Sequence, residues 1–287
     1  MAARRMNIED MERSTQSIEV ELLVEAIYLR YGYDFRDYSR ASVKRRILRR
    51  LEKENMHHIS ELQRKLLYDE SFFRTVISDF SINVTEMFRD PLFFQTLTAM
   101  VIPDLAKLKQ IKVWHAGCGT GEEVYSLAIL FKENNIYDKT IFYATDINDE
   151  TLDMARSGRI PLKDLKKYSV NYSEAGGEHS LSDYLVIRPH GVNLREDLLK
   201  NIVFSDHNLV HDKGFGEMNL ILCRNVLIYF NRNLQRKVLD LFRESLVRRG
   251  YLCLGMKESL YFTDSKDDFN LIDPKTNIYR FYHGQVR

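Results

Sequence analysis

Lys112-Val-Trp-His-Ala-Gly117-Cys-Gly119-Thr-Gly121-Glu-Glu-Val-Tyr125 decides the fold of this 287-residue chain. An apolar strand runs into a glycine-rich turn, and an apolar-periodic helix follows. Glycine lets backbone approach a bound cofactor with no Cβ in the way. Further on, Ile141-Phe-Tyr-Ala-Thr-Asp146 reads as a second strand ending in an acid. A carboxylate at a strand end suits the two hydroxyls of a ribose. A glycine turn and a strand-end acid together predict a nucleoside-cofactor site in an α/β sheet.

Working outward, strands are expected at 111–116, 140–145, 202–206, 218–223, 249–255 and 277–282. Helices are expected at 121–134, 149–157 and 232–248. That alternation predicts a mostly parallel, doubly wound sheet. The interval 159–200 breaks the rhythm with Pro161, Gly176-Gly177 and Pro189-His190-Gly191 around one β segment, Tyr184-Leu-Val-Ile187. It reads as a small inserted antiparallel subdomain. Before the sheet, residues 17 to 80 read as a helical bundle. Ile18, Leu22, Leu23, Ala26, Ile27 and Leu29 fall mostly at helical spacing. Val43, Ile47, Leu48 and Leu51 do the same, as do Leu62, Leu66 and Leu67, then Phe72, Phe73, Val76, Ile77 and Phe80. A further helix starts at Asp90-Pro91, since proline suits a first helical position.

Composition narrows the function. Net charge is +1, so any electrostatic partner must be read from local patches. Cys118, Cys223 and Cys253 are odd in number and far apart, with no metal-ligand spacing. Reduced thiols in the cytoplasm and no metal are expected. No run approaches the ~18 apolar residues of a membrane span. Arg4 and Arg5 are not followed by the apolar segment of a secretory signal. Met6 offers an alternative start, with residues 1–5 an extension.

Glycine turns serve nicotinamide, flavin and S-adenosylmethionine (SAM) enzymes alike. The turn here is Gly117-Cys-Gly-Thr-Gly121, and Glu122-Glu123 follows it. Carboxylates in a first helical turn would repel a pyrophosphate. SAM has no phosphate and carries a cationic sulfonium and ammonium, so they favour it. The same acids also fit the ordinary preference for negative charge at a helix start.

At this point the chain resembles the chemotaxis receptor methyltransferases, the CheR-type protein-glutamate O-methyltransferases of bacterial signal transduction. Four segments carry the likeness in order. They are Asn83-Val-Thr85-Glu-Met-Phe-Arg89-Asp90-Pro91, then Ala116 to Ser126, then Ala144-Thr-Asp146-Ile147 with Ala155-Arg-Ser-Gly158, then Cys223-Arg224-Asn225-Val-Leu-Ile-Tyr229-Phe230. Lys257-Glu258-Ser259-Leu260 is a weaker fifth. Met87, His115 and Val124 depart from the family's usual Phe, small residue and Pro. None of these removes a polar group the chemistry needs.

The resemblance implies a doubly wound, Rossmann-like SAM-methyltransferase sheet. It also implies an all-helical domain over 14–90 and a methyltransferase domain over 91–287, with the β subdomain at 160–200. It implies SAM contacts at Asn83, Thr85, Arg89, Gly117, Glu123, Asp146, Asn208, Leu209, Asn225 and Val226. Arg89 and Tyr229 would lie near the transferring methyl. The product would be S-adenosylhomocysteine (SAH) and a glutamate methyl ester. A glutamate carboxylate, pKa ~4.3, is already ionised at pH 7, so no strong general base is required. Arg89 suits orienting that carboxylate through two hydrogen bonds. Arg89 also suits a domain bridge and Tyr229 a core aromatic, and Cys118 and Cys223 suit packing.

Arg45, Arg46, Arg49, Arg50 and Lys53 fall on one side of the helix over 40–53, opposite Val43, Ile47, Leu48 and Leu51. A solvated face is one reading. By resemblance the face docks the acidic methylation helices of a receptor, and the β subdomain takes a receptor C-terminal peptide by strand addition. Neither nucleic acid nor membrane insertion is expected, and no heptad seam argues against a monomer. A SAM methyltransferase on another substrate and a non-catalytic SAM-binding signalling module stay open as alternatives.

Overall fold

Four helices open the chain: α1 (Ile8–Tyr31), α2 (Arg40–Glu54), α3 (Ile59–Tyr68) and α4 (Glu70–Phe80). The computed structural model describes residues 8–80, 85–189, 191–261 and 263–282. Asn83 lies outside these. The described residues divide into two compact units, one over 8–80 with Tyr229–Leu234, the other over 85–228 and 235–282.

The first unit is a bundle with its own core. Leu23 and Ile27 of α1 meet Val43, Ile47 and Leu51 of α2, Leu62 and Leu66 of α3, and the whole Phe72, Phe73, Val76, Ile77, Phe80 stripe of α4. Within α1 the inward stripe is Val20, Leu23, Val24 and Ile27, whereas Ile18, Leu22 and Leu29 stand 55%, 55% and 74% exposed. The helical spacing was right and its phase was not, because apolar residues occupy both sides of this helix. The Tyr229–Leu234 segment belongs here through a bridge between Tyr38 and Phe230 and through Asn231, whose N–H donates to the Asp37 carbonyl at 2.8 Å.

The second unit begins with α5 (Pro91–Met100) and α6 (Ile102–Leu105). Then come β1 (Ile111–Ala116), α7 (Glu122–Glu133), β2 (Thr140–Asp146) and α8 (Asp149–Arg156). The insertion supplies β3 (Arg159–Ile160), α9 (Leu165–Glu174), β4 (Leu185–Arg188) and β5 (Gly191–Leu194). The chain closes with β6 (Ile202–Asp206), β7 (Met218–Cys223), α10 (Arg232–Ser245), β8 (Leu246–Leu254), β9 (Phe269–Asp273) and β10 (Ile278–Phe281).

The main sheet runs β6-β2-β1-β7-β8-β10-β9. Its first five strands are parallel, and β10 is antiparallel to both neighbours. This is the expected doubly wound α/β sheet. The order reverses between β1 and β7, where open α/β sheets hold ligands beyond the strand carboxyl ends. The insertion is an antiparallel sheet, β3-β5-β4, as expected. It shares a core with the rest of the unit: Tyr168, Tyr172 and Tyr184 join Phe88, Phe94 and Phe131 in one cluster. Two phenols, Tyr172 and Tyr184, donate to the Glu133 carboxylate of α7, the second at 2.7 Å.

Candidate functional site

At the end of β1 the chain turns through Gly117, φ 76°, into the first turn of α7. A Cβ on Gly117 would stand 2.5 Å from a methyl of Val226, so the turn and the loop after β7 touch. The amides of Gly117 and Cys118 both donate to the Thr145 carbonyl, at 2.8 and 2.9 Å, pinning the turn to the end of β2.

Asp146 sits where β2 ends. One carboxylate oxygen accepts from the Gly119 amide at 3.0 Å and the other from Asn148 at 3.2 Å. Burial pushes its pKa up, and these amides pull it down. A carboxylate has about four acceptor positions; the Gly119, Asn148 and Ile147 amides take three, which leaves one for an incoming hydroxyl. An acceptor so placed suits a ribose hydroxyl. The His207 amide donates to the Asp146 carbonyl at 3.1 Å, bringing the turn after β6 alongside. In that turn the Asn208 side chain accepts from Val210 at 2.9 Å, and the Asn208 amide donates to Asp212 at 2.7 Å. Leu209 is half-buried within it.

The segment 85–90 is fastened to α7. Thr85 donates its hydroxyl to the Glu122 carboxylate, which also accepts from Thr120 at 2.5 Å. The Phe88 amide donates to Ser126 Oγ at 2.8 Å. Arg89 stands between two left-handed residues, Phe88 at φ 52° and Asp90 at φ 58°. For residues with a Cβ such conformations cost roughly 1–2 kcal/mol each and persist only when surroundings impose them.

Arg224 does much of the imposing. Its side chain is 1% exposed. It pairs with Asp90 at 2.7 Å and with Glu123, and both terminal nitrogens donate to the Arg89 carbonyl at 3.5 Å. Its guanidinium lies 4.0 Å over the Phe93 ring. Glu123 therefore pairs with Arg224. His115, 3.7 Å from Glu123, is fully buried, and burial together with Arg224 pushes its pKa down to about 3.

Beyond β7, Asn225 adopts φ 63° and donates its amide to Glu258 at 3.0 Å. Thr85, Arg89, Gly117, Glu123, Asp146, Asn208, Leu209, Asn225 and Val226 all lie on this unit, at or beside the carboxyl ends of its parallel strands, and each is half-buried. Tyr229 belongs to the first unit, with the Arg46 guanidinium 4.4 Å over its ring. Arg224 and Glu258 are site-shaping residues to which the sequence reading gave no role. A charge directly after an apolar strand was the available signal for Arg224.

The basic face of α2 needs correction. Arg46 and Arg50 are buried, 5% and 8% exposed, while Leu48 is 36% exposed. Arg46 donates to the Phe80 carbonyl, and Arg50 pairs with Asp79 and Glu54. Both lie three residues past an inward valine or isoleucine, so their stems follow the apolar stripe and only the heads find polar groups. Arg45 and Arg49 face solvent, and Lys53, half-exposed, lies 3.2 Å from Asp79.

Among described residues, no helix is long and apolar enough to cross a membrane. The family described as "CheR methyltransferase, SAM binding domain" matches residues 83–278, and "CheR methyltransferase, all-alpha domain" matches 18–81. The Pseudomonas putida protein Cher3, which carries a provisional methyltransferase name, is 45% identical over 94% of this chain and 98% of its own. A chemotaxis protein methyltransferase of Listeria innocua is 31% identical over 80% of this chain and 85% of its own. Magnesium protoporphyrin IX methyltransferase (ChlM) of Synechocystis PCC 6803, solved with bound SAH, is 19% identical over 58% of either chain at a TM-score of 0.32. So loose a likeness carries no functional weight.

Proposed function

This chain belongs to the CheR methyltransferase family, and from that premise we propose that it methylates glutamate side chains of chemotaxis receptors, using SAM and releasing SAH. The observation that carries the reading is that the histidine and thiols packed around the glycine turn and the end of β7, His115, Cys118 and Cys223, are not poised as bases. His115 is buried and neutral at pH 7, with its pKa near 3. Burial lifts the Cys118 and Cys223 thiols well above their ordinary range. An amine or hydroxyl acceptor would need a base, and a glutamate carboxylate does not.

Bound SAM would supply an electrophilic methyl on a sulfonium that leaves, with its electron pair, as a neutral thioether. The chain's own residues bind and orient. Asp146 accepts from a ribose hydroxyl, and Glu123 offers negative charge to the ammonium. Asn208 and Leu209 flank the adenine, Asn225 and Val226 line the floor, and Thr85 holds the 85–90 segment on α7. Arg89 orients the acceptor carboxylate, which attacks in line with the departing sulfur. By resemblance alone, Tyr229 lines the methyl path.

Docking of acidic methylation helices then falls to Arg45, Arg49 and Lys53, with a receptor tail peptide added at the β3-β5-β4 sheet. The protein would act as a cytoplasmic monomer. The test is the pH profile of labelled methyl transfer to a receptor fragment. Under this reading kcat stays within about twofold between pH 6.5 and 8.5. A tenfold rise per pH unit in that window would mean a base is at work and the acceptor is another group.

A further inference from the structure

Glu258 lies outside every cofactor contact assigned above, yet its carboxylate is among the most heavily engaged in the second unit. It is 5% exposed. One oxygen accepts from the Gly255 amide at 2.6 Å and the Asn225 amide at 3.0 Å, and the other from Ile228 at 3.2 Å. The Leu227 amide also bonds it. Its own amide returns to the Gly255 carbonyl at 2.9 Å, closing a tight turn after β8. The Asn277 side chain holds that turn from behind, donating to the carbonyls of Gly255 and Glu258 at 2.9 Å each.

Successive backbone amides that converge on one point form a nest for an anion. Here the nest is the loop 225–228 after β7, and the anion is a carboxylate of the chain itself. We infer that Glu258 is a positioning residue for the cofactor: by filling the amide nest after β7, it fixes where Asn225 and Val226 stand. It has this role only if that end of the sheet holds SAM, as proposed above.

Three observations support it. Asn225 is held at φ 63°, in the left-handed region that asparagine tolerates better than most residues with a Cβ, and its amide is the one Glu258 takes. Val226, next in the chain, touches Gly117 of the glycine turn, so a shift of this loop moves the cradle as well. Gly255 lets the two loops meet: a Cβ there would stand 2.8 Å from the Asn225 amide nitrogen and 2.8 Å from a Glu258 oxygen. Burial pushes the Glu258 pKa up and the converging amides oppose it. A glutamine would turn a donor towards those amides where an acceptor stood.

The test is calorimetric titration of SAH onto the full chain, for wild type, Glu258→Gln and Gly255→Ala, with circular dichroism as the check of fold. The two variants disturb the same contact from opposite sides, and Gly255→Ala keeps the charge. Both are expected to weaken SAH at least tenfold. In steady state Glu258→Gln should raise KM for SAM tenfold or more and leave KM for the acceptor unchanged, a split that general loosening would not give. Should Glu258→Gln fail to fold, Gly255→Ala decides. Folded variants that bind SAH within twofold of wild type overturn the role of Glu258 alone. A wild-type chain that binds no SAH overturns the cofactor site, and this role with it.

Discussion

Arg46 in the helical unit and Arg224 in the α/β unit are both buried, and they are buried in different ways. Arg46 meets a carbonyl and an aromatic face, and burial lowers its pKa. Arg224 meets two carboxylates and the carbonyl of Arg89. The first arrangement is a long apolar stem laid along a core with its guanidinium buried against the Tyr229 ring and the Phe80 carbonyl. The second is a network that forces a neighbouring backbone into left-handed conformations. A buried cation is therefore not one kind of feature: one packs a bundle, and the other shapes a site.

Substitutions can break or sharpen that contrast. The largest effect is expected from Arg224→Ala, which strands Asp90 and Glu123. We expect a loss of about 3–5 kcal/mol in denaturant unfolding, together with loss of methyl transfer. A loss below ~1 kcal/mol would mean that solvent, not Arg224, holds those acids.

Next comes His115, which belongs to the same network. Its folded pKa of about 3 lies below the ordinary value near 6.5. Between those values the unfolded chain binds a proton that the folded chain refuses. Stability is therefore full above pH 6.5 and falls as pH drops through the window, by ~1.4 kcal/mol per unit and about 2 kcal/mol at pH 5. His115→Gln should flatten that slope in pH-dependent melting, and an unchanged slope would show the histidine to be hydrated.

Arg46→Ala should cost about 1–2 kcal/mol through lost packing, a lost hydrogen bond and a lost ring contact. Equality with Arg224→Ala would erase the distinction between the two kinds of burial. The smallest stability effect, within about 0.5 kcal/mol, is expected for Arg45→Glu with Arg49→Glu. That pair should instead raise the receptor KM severalfold at low salt and leave SAH binding alone.

What the sequence made legible follows the same divide. The Gly117–Gly121 turn and the strand-end Asp146 were readable because glycine and a terminal acid signal locally, within one β-turn-α unit. The face of α2 was misread because a helical wheel counts arginine as polar and ignores the length of its stem. The helix α9 escaped notice because its inward positions, Tyr168 and Tyr172, are tyrosines in a run rich in lysine and serine. The strand β9 was missed because Phe269–Asp273 is short and follows acidic residues. The contacts of Glu258 were beyond reach, since Asn225 and Ile228 lie 33 and 30 residues away in sequence and only the fold brings them together.

The central claim is that this site esterifies receptor glutamates, with Arg89 orienting the acceptor. Its most direct test is transfer of radiolabelled methyl from SAM to membranes carrying the host's chemoreceptors, for wild type and Arg89→Ala. The account predicts base-labile label on the receptor band, reduced about a hundredfold or more in the variant. Base-stable label, or label on the receptor that Arg89→Ala leaves intact, would contradict it.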